Sequence, residues 1–577
     1  MPRWLQDHFL IVAVAVAVLF SQLGAARLWD DDEPRNAGCA VEMLERGDWV
    51  VPYFNGELRT HKPVLLYWLI LSAYSVLGVN EFAARFWSAA LGVGTVLCTY
   101  HLGIKLFGRN AGLLAALALV PALMFDVASR AATPDAPLIF FVTASLTALV
   151  VLGTQTDKSG LLILEFPRPL LHGAIVYGLV SLAVLAKGPV GLVLPVAIMA
   201  VSLVATKILI DKGSWRQRLL VALSPRRLWQ LAWSMRPITA FAMLAIVALP
   251  WYAWVGYRTD GEFLRGFFWD HNVRRATEAM EGHQGPAILY YPLALLAGFF
   301  PCSVFLIPSL LDAGRRLRRG DSHAPAIALC MLWIVLVVGL FSLAKTKLPS
   351  YVTPCYPALA LLVGSVLDRW TRGELAISRN WLRCGAVSLA GVGLAFVPLW
   401  YLATQRFLPG EEHLAGIGIV LAVGGAAAVA CDLRFRSPMG GRAGASVSLA
   451  TGIAFSLLLF ALGPAAADRH QQSHLLLAAV RNSGSTDVAA WRSLEPSWVF
   501  YLKHPVQELR AENKVQGDDL AADYLRQNPR RLLIVRGSDY PALADKLPDD
   551  SEVLARVPLF LKRETLVLLG RRVSIRR

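Results

Sequence analysis

The sequence predicts a mostly α, polytopic transmembrane helical protein that ends in a small C-terminal α/β domain outside the bilayer. Three observations predict it. The chain of 577 residues is 55% hydrophobic and only 17% charged, and its mean hydropathy is +0.49. Apolar runs of about 18 residues or more, long enough to cross a hydrocarbon core, recur through most of its length. Past Leu462 the composition turns abruptly polar and charged.

The apolar pattern gives about thirteen spans, over 9–26, 82–106, 111–128, 134–152, 171–186, 188–206, 237–257, 286–310, 324–343, 352–368, 382–403, 413–431 and 443–462. The first has a weakly basic start at Arg3 and a Gly24-Ala25-Ala26 that resembles a signal-peptidase site. It reads as an uncleaved anchor, because the polar residues that follow need holding at the membrane surface. The formal net charge of +15 does not point to nucleic acid. Most loop Lys and Arg lie in 107–110, 207–236, 311–323, 369–381 and 432–442. Short basic loops mark the cytoplasmic side, so the N-terminus is cytoplasmic and an odd span count leaves the C-terminal segment periplasmic. The seven cysteines are scattered and form no C-x-x-C, which excludes a disulfide framework and a zinc-cysteine cluster.

The expected division is therefore a membrane domain over 1–464 and a soluble α/β domain over 465–577. In the latter, strand-like runs at 487–491, 498–502, 531–535, 552–557 and 565–569 alternate with polar stretches. The first outer loop, 27–81, carries a helical period over 34–46, a probable turn at Asn55-Gly56 and an apolar stretch over 64–77 too short to span. Both apolar stretches read as helices on the membrane surface.

The polar residues that could do chemistry begin with Asp30-Asp31-Asp32-Glu33-Pro34-Arg35. Adjacent carboxylates repel one another unless a cation answers them; the plain reading is a solvated loop with Pro34 opening a helix. His61-Lys62-Pro63 heads the apolar stretch, where a lysine can snorkel or meet a lipid phosphate. Asp135 follows Thr133-Pro134 and could simply cap a helix. In the charge-derived topology Asp32, Lys62, Asp135, Lys187, His271, His283, Lys345 and Lys347 all fall on the outer face. A channel or transporter would more naturally place some of them mid-span.

The run DEPRNAGCAVEMLERGDWVVPYFNGELRTHKPVLLYWL resembles the first periplasmic loop of bacterial transferases related to protein O-mannosyltransferases, above all the aminoarabinose transferases that modify lipid A. These belong to the glycosyltransferase C superfamily. The resemblance continues at Glu81-Phe82-Ala83-Ala84-Arg85-Phe86-Trp87, Thr133-Pro134-Asp135, Ala186-Lys187-Gly188-Pro189, Asp270-His271-Asn272 with Arg275 and His283, and Lys345-Thr346-Lys347-Leu348-Pro349-Ser350-Tyr351. It covers about 1–370 and implies a glycosyltransferase C fold in the bacterial inner membrane. It also implies an essential first-loop carboxylate, matched by Asp32 with Asp31 and Glu33 beside it, and a functional Asp135.

The implied donor is undecaprenyl-phosphate sugar, with Lys62, supported by Arg35, at its phosphate, and Lys187, Lys345 and Lys347 as further cations. Glu33, Asp31 and Arg275 stand on the acceptor side. A single in-line displacement would invert the anomeric centre. The expected transfer is of 4-amino-4-deoxy-L-arabinose to lipid A; the alternative is mannose or another hexose to protein or an envelope glycan. The rival class is a transporter or flippase of lipid-linked sugars. No cofactor is required, and the expected enzyme is a monomer among membrane lipids. His61 departs from the glutamate more common there, a position associated with a metal. With His271 or His283 it could bind zinc through imidazole nitrogens.

Overall fold

The computed structural model describes residues 2–28, 31–157, 161–274, 289–435, 438–511 and 513–572. Among them, nine helices are long and apolar enough to cross a membrane, or up to twelve if each of three bent pairs is one span. The chain is a multi-pass membrane protein. It opens with α1 (Arg3–Leu19), which at 17 residues is slightly short for a bilayer. The first loop follows, with α2 (Asp32–Arg46), β1 (Tyr53–Phe54), β2 (Glu57–Leu58) and α3 (Leu65–Leu77). The bundle then continues through α4 (Glu81–Phe107), α5 (Arg109–Leu119), α6 (Leu123–Arg130), α7 (Asp135–Gly153), α8 (Leu170–Lys187) and α9 (Val190–Ile210). Beyond these lie α10 (Trp215–Ala222), α11 (Pro225–Ser234), α12 (Pro237–Val247) and α13 (Leu249–Arg258). Close helix packing uses small residues: a Cβ on Gly103 of α4 would sit 2.5 Å from the Gly112 Cα of α5.

Three expected spans are not straight. The 111–128 stretch divides into α5 and α6, bent by 69°. The 237–257 stretch divides into α12 and α13, where Pro250 cannot donate to the helical ladder. The 286–310 stretch, described from 289 onward, bends by 115° between Tyr290–Gly298 and Cys302–Arg319, with Pro301 at the break. The last long helix, Met439–Arg469, continues through Pro464, about a turn past the expected domain boundary.

The first loop forms as its pattern predicts. Asn55 (φ 57°) and Gly56 (φ 76°) take the left-handed conformations that a tight two-residue hairpin requires. The C-terminal domain holds a five-stranded mixed sheet in the order Gln507–Leu509, Val488–Trp491, Leu532–Arg536, Thr565–Arg571 and Ser551–Pro558. The expected strand at 498–502 is instead the helix Pro496–Leu502. Its apolar run is buried on several faces, and so short a run has no period that separates strand from helix. The strand 507–509 was not expected.

This domain grips the first loop. The Asn55 side-chain amide donates to the Val506 carbonyl (2.9 Å), and the Val506 N–H donates back to Asn55 Oδ1 (2.8 Å). Arg27 pairs with Asp468 at 2.9 Å. The Tyr501 hydroxyl accepts from the Leu28 N–H and donates to Glu81.

Candidate active site

The site is built where the first loop meets the start of α7, the end of α8 and the start of α9. Asp32 is the first residue of α2 and is exposed; the positive end of the helix dipole favours its charge. Its field reaches Arg59 and Lys187. Arg59, at the end of the hairpin, is 5% exposed and donates to the Tyr67 hydroxyl and to Asn36 Oδ1, both at 3.1 Å. Burial works against the Arg59 charge, but Tyr67, Cys39 and Asp32 hold its pKa above the ordinary value. Asn36 in turn donates to the Ala132 carbonyl at 2.9 Å, fixing α2 against the turn that precedes α7.

A cleft of about 150 Å³ opens beside it, lined among others by His61, Lys62, Lys187, Phe267, His271 and Tyr351. Lys187 forms an ion pair with Asp135 and lies 5.3 Å from the centre of the Tyr351 ring. Asp135, the first residue of α7, is thus tied across helices to the end of α8. Gly188 lets the chain turn directly after Lys187. Its φ is +72°, and a Cβ there would meet the Phe267 ring at 2.4 Å. Phe267 and His271 lie on a π-helical stretch, Gly266–Arg274, a geometry frequent at functional sites.

The His61 and His271 rings are in contact at a 31° tilt, with centroids 3.8 Å apart. His61 keeps an exposed edge while its surroundings push its pKa down to about 3, through burial first and then the charges of Arg59, His271, Lys62 and Arg35. It is therefore a neutral imidazole, and the cationic work in the cleft falls to the lysines. Among the described residues no group of three His, Cys, Asp or Glu side chains could hold a metal ion. Zinc needs three or four converging ligands; among the described residues His61 and His271 bring two imidazoles together. His283 and Arg275 lie outside the described residues.

Two expected site residues have structural duties instead. Glu33 is 7% exposed; it forms a two-pronged ion pair with Arg85 (2.9 and 2.8 Å) and accepts the Ala132 N–H at 2.8 Å. Its oxygens are committed within the fold, which corrects the acceptor-side reading. Lys347 is 6% exposed and donates to the Ser342 and Ala344 carbonyls at 3.2 and 2.7 Å. It closes the C-terminal end of the helix Ala324–Leu343, as cations near helix ends do, rather than facing the cleft. Lys345 is exposed and is not among the residues that line the cleft. Arg35 is half-buried near His61. Asp31 faces a second cleft of about 150 Å³, shared with Arg27, Glu495, Tyr501 and Lys562 of the loop and the terminal domain. The α2 N-terminus thus stands between two clefts. Arg59, Phe267 and Tyr351 were not singled out from the sequence. Arg59 and Tyr351 lie inside the quoted motifs, where an arginine in an aromatic setting was the available signal.

The family described as dolichyl-phosphate-mannose-protein mannosyltransferase matches residues 27–259. The undecaprenyl phosphate-alpha-4-amino-4-deoxy-L-arabinose arabinosyl transferase of Pseudomonas aeruginosa (strain UCBPP-PA14) is 34% identical over 454 residues, 77% of this chain and 72% of that protein. An uncharacterized protein of Aquifex aeolicus is 29% identical over 366 residues, 63% of this chain; the chain spans 64% of that protein's length. ArnT from Cupriavidus metallidurans, solved bound to undecaprenyl phosphate, superposes with a TM-score of 0.71 at 21% identity, covering 97% of each chain. The Archaeoglobus fulgidus oligosaccharyltransferase shares the fold more distantly, with a TM-score of 0.50 at 13% identity over 94% of this chain and 71% of that one.

Fold and sequence together define a membrane glycosyltransferase of the glycosyltransferase C superfamily, acting on a polyprenyl-phosphate-linked sugar. More closely, the chain belongs to the family of the undecaprenyl phosphate-aminoarabinose arabinosyl transferases.

Proposed function

We propose that the protein transfers 4-amino-4-deoxy-L-arabinose from undecaprenyl phosphate to lipid A, as a monomer at the periplasmic face of the bacterial inner membrane. The observation that carries this reading is the cleft in which Lys62 and the Asp135-paired Lys187 line one wall, with Asp32 in electrostatic reach. Leaving-group chemistry explains the cations. As the bond from the sugar C1 to the carrier phosphate breaks, its electron pair passes to the phosphate oxygen, and preorganised positive charge stabilises what develops. Lys62 meets that phosphate, with Arg35 and Lys187 adding to the field. An acceptor phosphate oxygen attacks C1 from the opposite side and inverts the centre. That acceptor is already anionic, so Asp32 orients the sugar and stabilises positive charge on its ring. Asp31 lines the neighbouring cleft, from which the acceptor approaches. No step runs through a metal.

The mannosyltransferase match over 27–259 favours one second reading, hexosyl transfer to a hydroxyl of protein or glycan. Asp32 would then take the hydroxyl proton as general base. The purified protein in nanodiscs, given undecaprenyl phosphate-aminoarabinose and lipid A, tests both. Free undecaprenyl phosphate and a heavier lipid A, both lost in Asp32→Asn, are expected. Transfer only from a hexosyl donor selects the second reading. Translocation of the donor across a bilayer without bond cleavage overturns both.

A further inference from the structure

A cavity of about 800 Å³ lies away from the active-site cleft. Lys187 and Lys207 stand at opposite ends of α8–α9, and the 20 residues between them, mostly helical, rise about 30 Å, the thickness of a hydrocarbon core. The cavity therefore opens at the other membrane surface. Its inner wall is apolar, with Phe166, Leu203, Val204 and Leu231; its mouth carries Arg168, Lys207, Arg227 and Arg236 against only Glu165 and Asp211. The ion pairs across the mouth, Arg227–Asp211 at 2.6 Å and Lys207–Glu165 at 3.4 Å, leave the cation side chains 42% and 46% exposed. An anion can reach them.

The helices that roof the cavity are largely unpacked, and α11 is amphipathic. No residue of α11 is buried, and only Ala222 of α10 is. A capping box joining Ser214 and Gln217 starts α10 without help from packing. Trp215, Leu220, Trp229 and Trp233 are 67%, 74%, 70% and 58% exposed, and the last two indoles stack at 6.0 Å. Arg216, Arg218, Arg226 and Arg227 are interspersed with them. Exposed indoles with arginines beside them suit a membrane interface, where indole rings settle at headgroup level. At Arg236, in the left-handed region at φ 54°, the chain bends by 41° into α12.

We infer that the cavity beneath α10 and α11 is a binding site for an anionic phospholipid, its headgroup phosphate at Lys207, Arg227 and Arg236 and an acyl chain along Leu203, Val204 and Leu231. The charge balance at the mouth selects an anionic over a zwitterionic headgroup, and the apolar wall selects a lipid over a soluble anion. The inference is independent of which sugar the enzyme transfers.

The test is native mass spectrometry of the full-length protein in detergent, titrated with phosphatidylglycerol and with phosphatidylcholine of the same acyl chains. Phosphatidylglycerol should bind about tenfold or more tighter, and Lys207→Gln/Arg227→Gln should remove most of that preference, each lost cation lowering affinity about fivefold. Equal binding of the two lipids overturns the site, as does a preference that survives in the double variant. Displacement of phosphatidylglycerol by millimolar inorganic phosphate would mark a soluble-anion site instead and also overturns it. A photoactivatable phosphatidylglycerol, cross-linked to the unaltered protein, needs no variant to fold: labelled peptides should fall within 164–168 or 203–236, and labelling confined elsewhere refutes the assignment.

Discussion

Replacing Glu33 by glutamine removes one half of a pair that the fold has buried on both sides. The two residues are 7% and 6% exposed, so Glu33→Gln leaves the Arg85 guanidinium without its counter-charge away from water. Breaking such a pair from one side destabilises by about 3–5 kcal/mol. The glutamine retains an oxygen for the Ala132 N–H, so the loss should sit near the lower figure. Arg85→Met removes more. The guanidinium also donates to the Leu23 and Ala26 carbonyls, at 3.1 and 2.7 Å, and each carbonyl left unpaired adds about 1 kcal/mol or more. The double variant Glu33→Leu/Arg85→Met has no stranded charge and should recover part of the loss, with a coupling energy of about 2 kcal/mol or more. Steric trapping in bicelles measures the unfolding free energy, and donor and acceptor KM are followed in parallel. If Glu33→Gln stays within about 0.5 kcal/mol of the parent while the acceptor KM rises, the carboxylate is a ligand-binding group and the reasoning fails.

Asp32→Asn should reduce turnover by about 10²- to 10⁴-fold with thermal stability unchanged, because Asp32 is exposed; full turnover would exclude it from the reaction. Gly188→Ala must move Phe267 or the backbone, and a loss of about 1–3 kcal/mol in stability should accompany at least a several-fold fall in kcat/KM. Unaltered kinetics would show that the Phe267 wall does not shape the cleft. His61, whose pKa falls from 6.5 to about 3 in the fold, stays neutral between pH 5 and 8. Because the folded protein disfavours its protonation, the stability it contributes is complete above pH 6.5 and is lost as pH falls toward 3. A ¹⁵N-histidine spectrum showing this ring titrate near 6.5 would refute the assignment. Lys347→Met should destabilise by about 1–3 kcal/mol, through two carbonyls left without their donor, and leave the donor KM unchanged; a raised donor KM would return Lys347 to the phosphate.

What the sequence reveals here follows the range of the interactions concerned. Apolar length alone locates most helices of the bundle, because a bilayer imposes one scale on all of them. Asn55-Gly56 announces its hairpin through backbone preference. Lys62 and Lys187 come to one cleft as the motif order implies, since each stands near the end of an element. The duties of Glu33 and Lys347 were not legible. Nothing local separates Glu33 from Asp32 beside it, and only the fold buries one against Arg85 and exposes the other. Lys347 and Lys345 pose the same problem across a two-residue interval. The helix at 496–502 escaped because its apolar residues are buried between the sheet and the first loop, which erases any amphipathic period.

The reciprocal Asn55–Val506 bonds, with Arg27–Asp468 and Tyr501 behind them, make the terminal module a jig for the loop it holds. Loop and module are a matched set. In a chimera between relatives, exchanging either one alone would present Asn55 to a backbone that does not answer it, so the segments around 27–58 and 468–510 have to be transplanted together for Asp32 to keep its seat.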